Sequence, residues 1–493
     1  MGDSGDQLTI VSNRLPAVLK RCDDAWQVEP GSGGLVQAMS PILCNRGGRW
    51  VGWPGVTTGE PDGWEKGLRQ VEVDSGFELK PVVLNQREFE QFYEGFANSV
   101  LWPLFHGFPD RCDFDPDFYA AYGQVNEKFA DAIAGVDDDL LWVHDYHLME
   151  VARRLRNKDY GGRLVFFLHI PFPSIENFSK LPWRHRLLTD LLHYDLIGFQ
   201  TERDLHHFQN CVNYLGVGAA EEDGPSRCHI ELGTREVEAG AFPIAIDYQD
   251  FARRAATDEV SQRVEVLQGD IGPYQMLLGV DRLDYSKGLI HRLQAYEMAL
   301  EEHLDLHEEV VFLQLVVPSR ENVDEYQALK REFDRIVGRI NGRFSTAAWQ
   351  PIHYLYNCVD PEQLSAMYRL ASVAMVTPLR DGMNLVSKEF CASQVDESGV
   401  LVLSEFAGAA EQLGSGAVLV NPYDIGQTAQ AIYRAITMEA QERSQRMKSM
   451  REVIEHSDVY WWAEAFLERA HRQQQTVQEL LTSDSFPLER RSV

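Results

Sequence analysis

Thr377-Pro378-Leu379-Arg380-Asp381-Gly382-Met383-Asn384-Leu385-Val386-Ser387-Lys388-Glu389 is the stretch on which the fold turns. An apolar run, Ala371 to Val376, precedes it, and Leu385, Phe390 and Cys391 then begin a helical spacing. The pattern reads as strand, short loop, helix. Pro378 ends the hydrogen bonding of the strand, and Gly382 lets backbone come close to a ligand. Asn384 is a good N-cap, so the helix is expected to start there. The free N–H groups and positive dipole end of such a helix suit a phosphate. Glu389 falls within the first two turns, where a carboxylate can accept from sugar hydroxyls. An ordinary βα turn with a solvated Asp and Glu would look much the same, so the rest of the chain must decide.

The same design recurs. Leu140 to Val143 runs into His144-Asp145-Tyr146-His147, Arg163 to Leu168 into His169, and Leu196 to Phe199 into Gln200-Thr201. Helical segments at 147–158, 180–192 and 202–215 separate these strands. Such βαβ alternation predicts a parallel sheet covered on both faces, with ligands at the C-terminal strand ends. One histidine there would more often be structural; His144, Asp145, His169 and Gln200 at equivalent ends point to a shared cleft. Upstream, Leu8 to Val11 is a strand that ends near Arg14, and Gly31-Ser32-Gly33-Gly34-Leu35 is a glycine-rich turn opening a helix. That turn is a second potential diphosphate cradle, though weak evidence alone. Arg46 to Gly55 reads as a strand carrying Trp50 and Trp53. Glu88 to Phe105 is rich in aromatics that belong mostly to the core, while Tyr93 and Trp102 carry polar tips able to line a wet cleft. Phe118 to Ile133 is an amphipathic helix, and Glu231 to Ile246 a hairpin turning at Gly233-Thr234.

A boundary falls near residue 247, followed by charged helix to about 269. A second alternation then begins, with strands at 275–280, 310–317, 352–356, 372–377, 400–403 and 417–420. The expected organisation is α/β throughout: residues 1–247 form one doubly wound domain and 248–455 a second, with 456–493 a helix packing back on the first and a polar tail. Arg282 and Lys287 follow one strand and reach one site if the helix begins near Ser286, making a diphosphate clamp. Arg14 and Arg320 lie at strand ends in different domains and could hold a second anion. There is no HExxH, CxxC or P-loop, and Asp281 and Asp284 lack the further carboxylates a metal would need.

Lys+Arg 46 against Asp+Glu 75 leaves a net charge of −29, which argues against nucleic acid and anionic membranes as partners. A site for an anionic substrate must then gather cations locally. Seven scattered cysteines and a short, acidic Met1 to Gln7 fit a reducing, cytoplasmic setting, and no apolar run is long enough to span a bilayer.

VSNRLP, GSGGL, WVGWPG, FYEGFANSVLWPLFH, WVHDYHLM, FFLHIPFPS, LIGFQTE, GVDRLDYSKGL, PSRENVDEYQ, TPLRDGMNLVSKE, VLVLSEFAGAAEQL and LVNPYD occur in one order over about residues 8–425. In these runs the chain resembles the trehalose-6-phosphate synthases, retaining GT-B glycosyltransferases of family 20. The resemblance implies two Rossmann-like domains facing across a cleft, UDP-glucose as donor substrate, glucose 6-phosphate as acceptor, and no metal or other cofactor. It places Arg282 and Lys287 on the donor diphosphate, with Gly33 and Gly34 opposite. Asp381 would bind the glucosyl hydroxyls, near the amides of Met383, Asn384 and Leu385. Leu385, Val386, Ser387, Lys388 and Glu389 would hold the nucleoside, Glu389 on the ribose, with Val359 near the base. Arg14, Tyr93, Asp145 and Arg320 would hold the acceptor, walled by Trp53 and Trp102, with His169 beside the transferred sugar. The implied mechanism uses no enzyme nucleophile: a phosphate oxygen of the donor takes the acceptor proton. Homodimers or homotetramers are also implied, and a separate phosphatase is expected because no fused one fits after residue 480. Gly107-Phe108 after WPLFH departs from the family pattern beside the acceptor wall. That leaves open another phosphorylated acceptor such as glycerol 3-phosphate. A silent nucleotide-sugar-binding homologue is a separate alternative. The residues leave the nucleotide open among UDP, ADP and GDP.

Overall fold

Val310–Val317 buries every residue but its last, and Leu8–Arg14 every residue but Arg14. Strands apolar on both sides are stable only in a sheet covered on both faces. A computed structural model shows two such sheets. It describes residues 8–22, 25–31, 33–59, 63–136, 138, 140–233, 235–320 and 323–483. The expected polar termini, Ser32 of the glycine-rich turn and Thr234 of the hairpin tip lie outside the described residues.

The first sheet orders its strands as Glu78–Pro81, Arg49–Trp53, Leu8–Arg14, Leu140–His144, Arg163–Phe167, Leu196–Phe199, Arg235–Ala241, Arg227–Leu232, Ala219–Glu222. The first seven are parallel, and the last two add antiparallel at one edge. The second sheet is parallel throughout, in the order Ile352–Tyr356, Val310–Val317, Gln275–Arg282, Val373–Val376, Val400–Ser404, Val418–Val420. In each sheet the chain starts centrally and reverses direction of travel, which opens a crevice at the C-terminal strand ends. Both alternations read from the sequence are present.

Three details refine the expectation. The helix after Lys287 starts at Leu289, not Ser286. Asp284 accepts from the Ser286 N–H and Gly288 sits at φ 68°, so a 3₁₀ turn, Tyr285–Lys287, intervenes. Phe89–Leu101 is a wide π-helix, with Asn98 and Ser99 each donating to a carbonyl five residues back. Such helices are rare and recur at functional sites. Finally, the closing helical stretch is three helices, Ile425–Thr437, Ala440–His456 and Val459–Ser483.

Val459–Ser483 crosses to the first sheet. Phe466 stacks on Trp142 at 4.6 Å, Trp462 lies 5.2 Å from the same ring, and the Trp462 indole N–H donates to Phe242 O. Burying a ring such as Phe466 contributes roughly 1.5–3 kcal/mol, so this crossing is a firm seam. A second seam lies at the mouth of the cleft. A Cβ on Gly382 would stand 2.1 Å from His169 O, and one on Gly408 1.8 Å from Gly382 O. Gly382 therefore admits the backbone of the opposite lobe, where the sequence suggested a ligand. Arg380 pairs across the same seam with buried Asp204 at 3.3 Å.

Candidate active site

The stretch 377–389 is strand end, loop and helix: Val376 closes the strand and Leu385–Ser393 is helical. Asn384 caps that helix, its side-chain oxygen accepting from the Ser387 N–H. The loop is zipped to the turn that carries Lys287. Leu379 N–H donates to Ser286 O at 2.7 Å, and a Cβ on Gly288 would lie 2.3 Å from Thr377 O. This brings Lys287 Nζ to 2.6 Å from Asp381 Oδ2, and Asn384 Nδ2 donates to the same oxygen at 3.0 Å. Burial alone would raise the Asp381 pKa, but the Lys287 charge outweighs it and holds the carboxyl below its usual range. From the first lobe, Gly33 at φ 134° leads into the helix Gly34–Arg46. A Cβ on Gly34 would meet Leu385 Cδ1 at 2.6 Å. Two helix N-termini from opposite lobes therefore meet at one point, a strong place for a diphosphate.

The other wall is aromatic. The Arg14 guanidinium lies over Trp53 at 4.7 Å and Tyr93 at 5.6 Å. Arg320, at φ 50°, lies over Trp102 at 4.4 Å, and Arg282 over the same ring at 5.7 Å. Burial would push the Tyr93 phenol up, yet the charges of Arg14, Arg320 and Arg282 prevail and hold it below its usual value. Three guanidinium groups thus act on one phenol, the local cation excess demanded by an anionic ligand. Arg320 is anchored by Tyr326 and Asp284. Arg14 and Arg282 are exposed, and among the described residues no carboxylate pairs with either.

Between these walls stand Asp145 and His169. Asp145 has φ 74°, a strained conformation for a residue with a Cβ, and its carboxylate accepts from the His169 N–H at 3.2 Å. Burial raises its pKa to about 6, against backbone hydrogen bonds and the Arg282 charge. His169 Nε2 is 3.1 Å from His144 Nδ1, with Gln200 at 3.4 Å from Nδ1. Burial drives the His169 pKa to about 3, so the ring is neutral and offers one donor and one acceptor.

The remaining residues divide. Glu389 is buried and accepts from the Tyr368 hydroxyl at 2.8 Å. Met383 is buried, its carbonyl accepting from the Ala409 N–H. Leu385, Val386 and Val359 are half-buried against the apolar core. Ser387 is buried, its hydroxyl donating to Asn384 O. The Lys388 side chain corrects an expectation: it is buried, lowered by desolvation to about 7, and donates to Ile244 O at 2.7 Å. It braces the inter-lobe linker and leaves only its backbone for a ligand.

Sequence reasoning missed two histidines. His147 stacks on Tyr93 at 5.8 Å and 12°, and burial together with the Arg320 and Arg14 charges takes its pKa to about 3. His106 is buried beside Trp102, its Nδ1–H donating to Trp102 O, and feels Asp284, Lys287 and Asp381 across the cleft; burial takes it to about 4. Both lie in the quoted runs, but spacing alone does not reveal which wall they join. The departing segment is also placed: Phe108 packs edge-on against Tyr285 at 5.3 Å, and Arg111 covers the same ring at 4.5 Å. It belongs to the inter-lobe seam. Among the described residues no group of three or more His, Cys, Asp or Glu is arranged to hold a metal ion.

A solved synthase of the UDP-forming α,α-trehalose-phosphate type from Burkholderia xenovorans, in complex with glucose-6-phosphate, superposes with a TM-score of 0.85 at 35% identity, covering 94% of this chain and 100% of that one. An E. coli trehalose-6-phosphate protein bound with UDP-2-fluoro glucose gives 0.84 at 35% identity, covering 94% and 98%. Among curated relatives, the UDP-forming α,α-trehalose-phosphate synthase A of Dictyostelium discoideum is 37% identical over 493 residues, 99% of this chain and 66% of that protein. The chain thus spans about two thirds of that relative's length. The paired sheets are the GT-B architecture of these neighbours. The sequence pattern of Glycosyltransferase family 20 matches residues 6–472, and the chain belongs to that family.

Proposed function

We propose that this protein moves glucose from UDP-glucose to glucose 6-phosphate with retention of configuration, releasing UDP and forming α,α-trehalose 6-phosphate. One observation carries the reading: in a chain of net charge −29, Arg14, Arg282 and Arg320 converge on Tyr93 beside the Lys287–Asp381 pair. Two anion sites side by side suit a sugar phosphate and a sugar nucleotide. The neighbours solved with glucose-6-phosphate and with UDP-2-fluoro glucose support the same pair of ligands.

In this reading Arg14 and Arg320 take the acceptor phosphate, with Tyr93, Trp53 and Trp102 shaping its pocket. Arg282 and Lys287 take the donor diphosphate together with the amides at Gly33–Gly34 and Met383–Leu385. Asp381 exchanges its lysine partner for glucosyl hydroxyls as the donor enters, while Leu385–Glu389 and Val359 hold the nucleoside, Glu389 on the ribose. Asp145 accepts from an acceptor hydroxyl, and neutral His169, held between His144 and Gln200, packs beside the transferred sugar. The diphosphate leaves on the face the acceptor attacks, and one of its oxygens takes the acceptor proton. The protein's contribution is then orientation and stabilisation of negative charge. We assign residues 1–247 to the acceptor half and 248–455 to the donor half. Two or four copies per assembly and a cytoplasmic setting belong to the same proposal; light scattering and cell fractionation test them.

The decisive experiment offers UDP-, ADP- and GDP-glucose against glucose 6-phosphate, glycerol 3-phosphate and glucose, with product NMR. An α,α-1,1-linked disaccharide phosphate from UDP-glucose and glucose 6-phosphate is expected. Donor binding without transfer to any acceptor would overturn the proposal.

A further inference from the structure

Beneath the donor wall lies a fully buried charge. Arg292, in the first turn of the helix Leu289–Glu302, has a side chain with 0% exposure. Burying a guanidinium is costly unless its donors are satisfied, and removing a partner from a buried pair costs far more than the pair contributes. Its fork is occupied on every side. Nε donates to Thr377 Oγ1 at 2.9 Å, Nη1 to Asp281 and to Gln314 Oε1 at 3.0 Å, and Nη2 reaches Lys287 O at 3.4 Å. Room for this knot comes from Gly279, where a Cβ would stand 2.3 Å from Gln314 Oε1 and 2.8 Å from Arg292 Nη1.

The partners are the point. Asp281 immediately precedes Arg282. Lys287 closes the turn after it. Thr377 opens the loop that carries Asp381. A single planar group thus grips both donor loops from below, at their roots, while Leu379 N–H and Ser286 O join them above. Lysine offers a point charge and cannot reproduce the fork. A misplacement of about 1 Å in such a loop can cost on the order of a hundredfold in rate.

We propose that Arg292 is a positioning residue for the transfer reaction: through Thr377 and the Lys287 carbonyl it sets the separation of Lys287 and Asp381 that receives the donor's diphosphate and sugar. This rests on the donor assignment above. Arg292 itself touches no substrate.

The test uses Arg292→Lys and Thr377→Val, the second removing one hydroxyl without changing volume. Each full-length variant is assayed for transfer, for KM of both substrates, for UDP binding by calorimetry and for thermal unfolding. Thr377→Val is expected to lose roughly tenfold in kcat and Arg292→Lys roughly a hundredfold, with the KM for glucose 6-phosphate within twofold of the parent. UDP affinity should fall about tenfold in Arg292→Lys, because Lys287 is no longer held. A role limited to stability would lower the unfolding temperature and leave these ratios alone. The inference fails if Thr377→Val keeps full turnover and UDP affinity, if lysine restores both, or if donor and acceptor KM rise together. Should the parent transfer nothing, the donor reading fails separately, and calorimetry with UDP still decides whether Arg292 holds the loop.

Discussion

Arg14 on one wall of the cleft and Lys287 on the other are held by different means. On the aromatic wall, Arg14 rests on Trp53 and Tyr93 and keeps its charge free, since a ring face attracts a cation without neutralising it. On the opposite wall, Lys287 is already paired with Asp381, and Arg292 below is tied to Asp281. The first wall is therefore ready for an anion as it stands. In the proposed reaction the second exchanges partners: a diphosphate that claims Lys287 frees Asp381 for hydroxyls. This difference suggests that donor arrival reorganises its wall while the acceptor meets a finished pocket.

Arg282 serves both walls, so its loss should have the largest effect. Arg282→Ala is expected to reduce turnover by a thousandfold or more, about 4 kcal/mol of barrier, with an unchanged unfolding temperature because the side chain is exposed. Near-normal turnover would remove it from the clamp. Asp381→Asn sharpens the contrast. Turnover should fall about a hundredfold, while UDP, which lacks the sugar, binds at least as tightly because no carboxylate competes for Lys287. Weaker UDP binding in calorimetry would end the partner-exchange account.

Arg14→Met probes the ready-made wall. The KM for glucose 6-phosphate should rise ten- to a hundredfold, roughly 1.4–2.7 kcal/mol, with the KM for UDP-glucose nearly unaltered. Equal rises in both would show that the walls are not independent. The smallest effect concerns pH. Burial raises Asp145 to about 6, so the folded protein holds this proton more tightly than the unfolded chain does. Protonated Asp145 favours the folded state below its unfolded value near 4, and this contribution is lost as pH rises through about 6. Its ionised form is the hydrogen-bond acceptor, so kcat at saturation should fall severalfold from pH 7 to pH 5. Saturating glucose 6-phosphate is required because phosphate monoesters titrate in the same range. In Asp145→Asn the acidic limb near 6 should vanish; its persistence would assign the titration elsewhere.

Much of this was legible in the chain. The strand ends at His144, His169, Gln200, Arg282 and Val376 could be placed because apolar runs that stop at polar clusters have few structural alternatives. Asn384 as a cap followed from its own side chain. What escaped were contacts between segments distant in sequence. The sequence offers Gly382 as room for a ligand, and it makes room for His169 O of the opposite lobe. Lys388 was grouped with its neighbours on the nucleoside and points to Ile244. His106 and His147 gave no periodic signal, and the π-helical pitch that carries Tyr93 has no sequence pattern of its own.

The chain by itself determined the two alternations, the acidic surface and the stock of cations, because these depend on local spacing and counting. The sequence could also nominate Arg14, Tyr93, Arg282, Arg320 and Asp381 as ligands of anions and sugars. Only the tertiary structure decided that Arg14, Arg282 and Arg320 share one phenol, that Lys287 waits on Asp381, and that Arg292 grips both donor loops from beneath. Hydrogen bonds and ion pairs form only where groups come within about 4 Å, so they are set by which segments meet, and that is decided when two sheets close on each other.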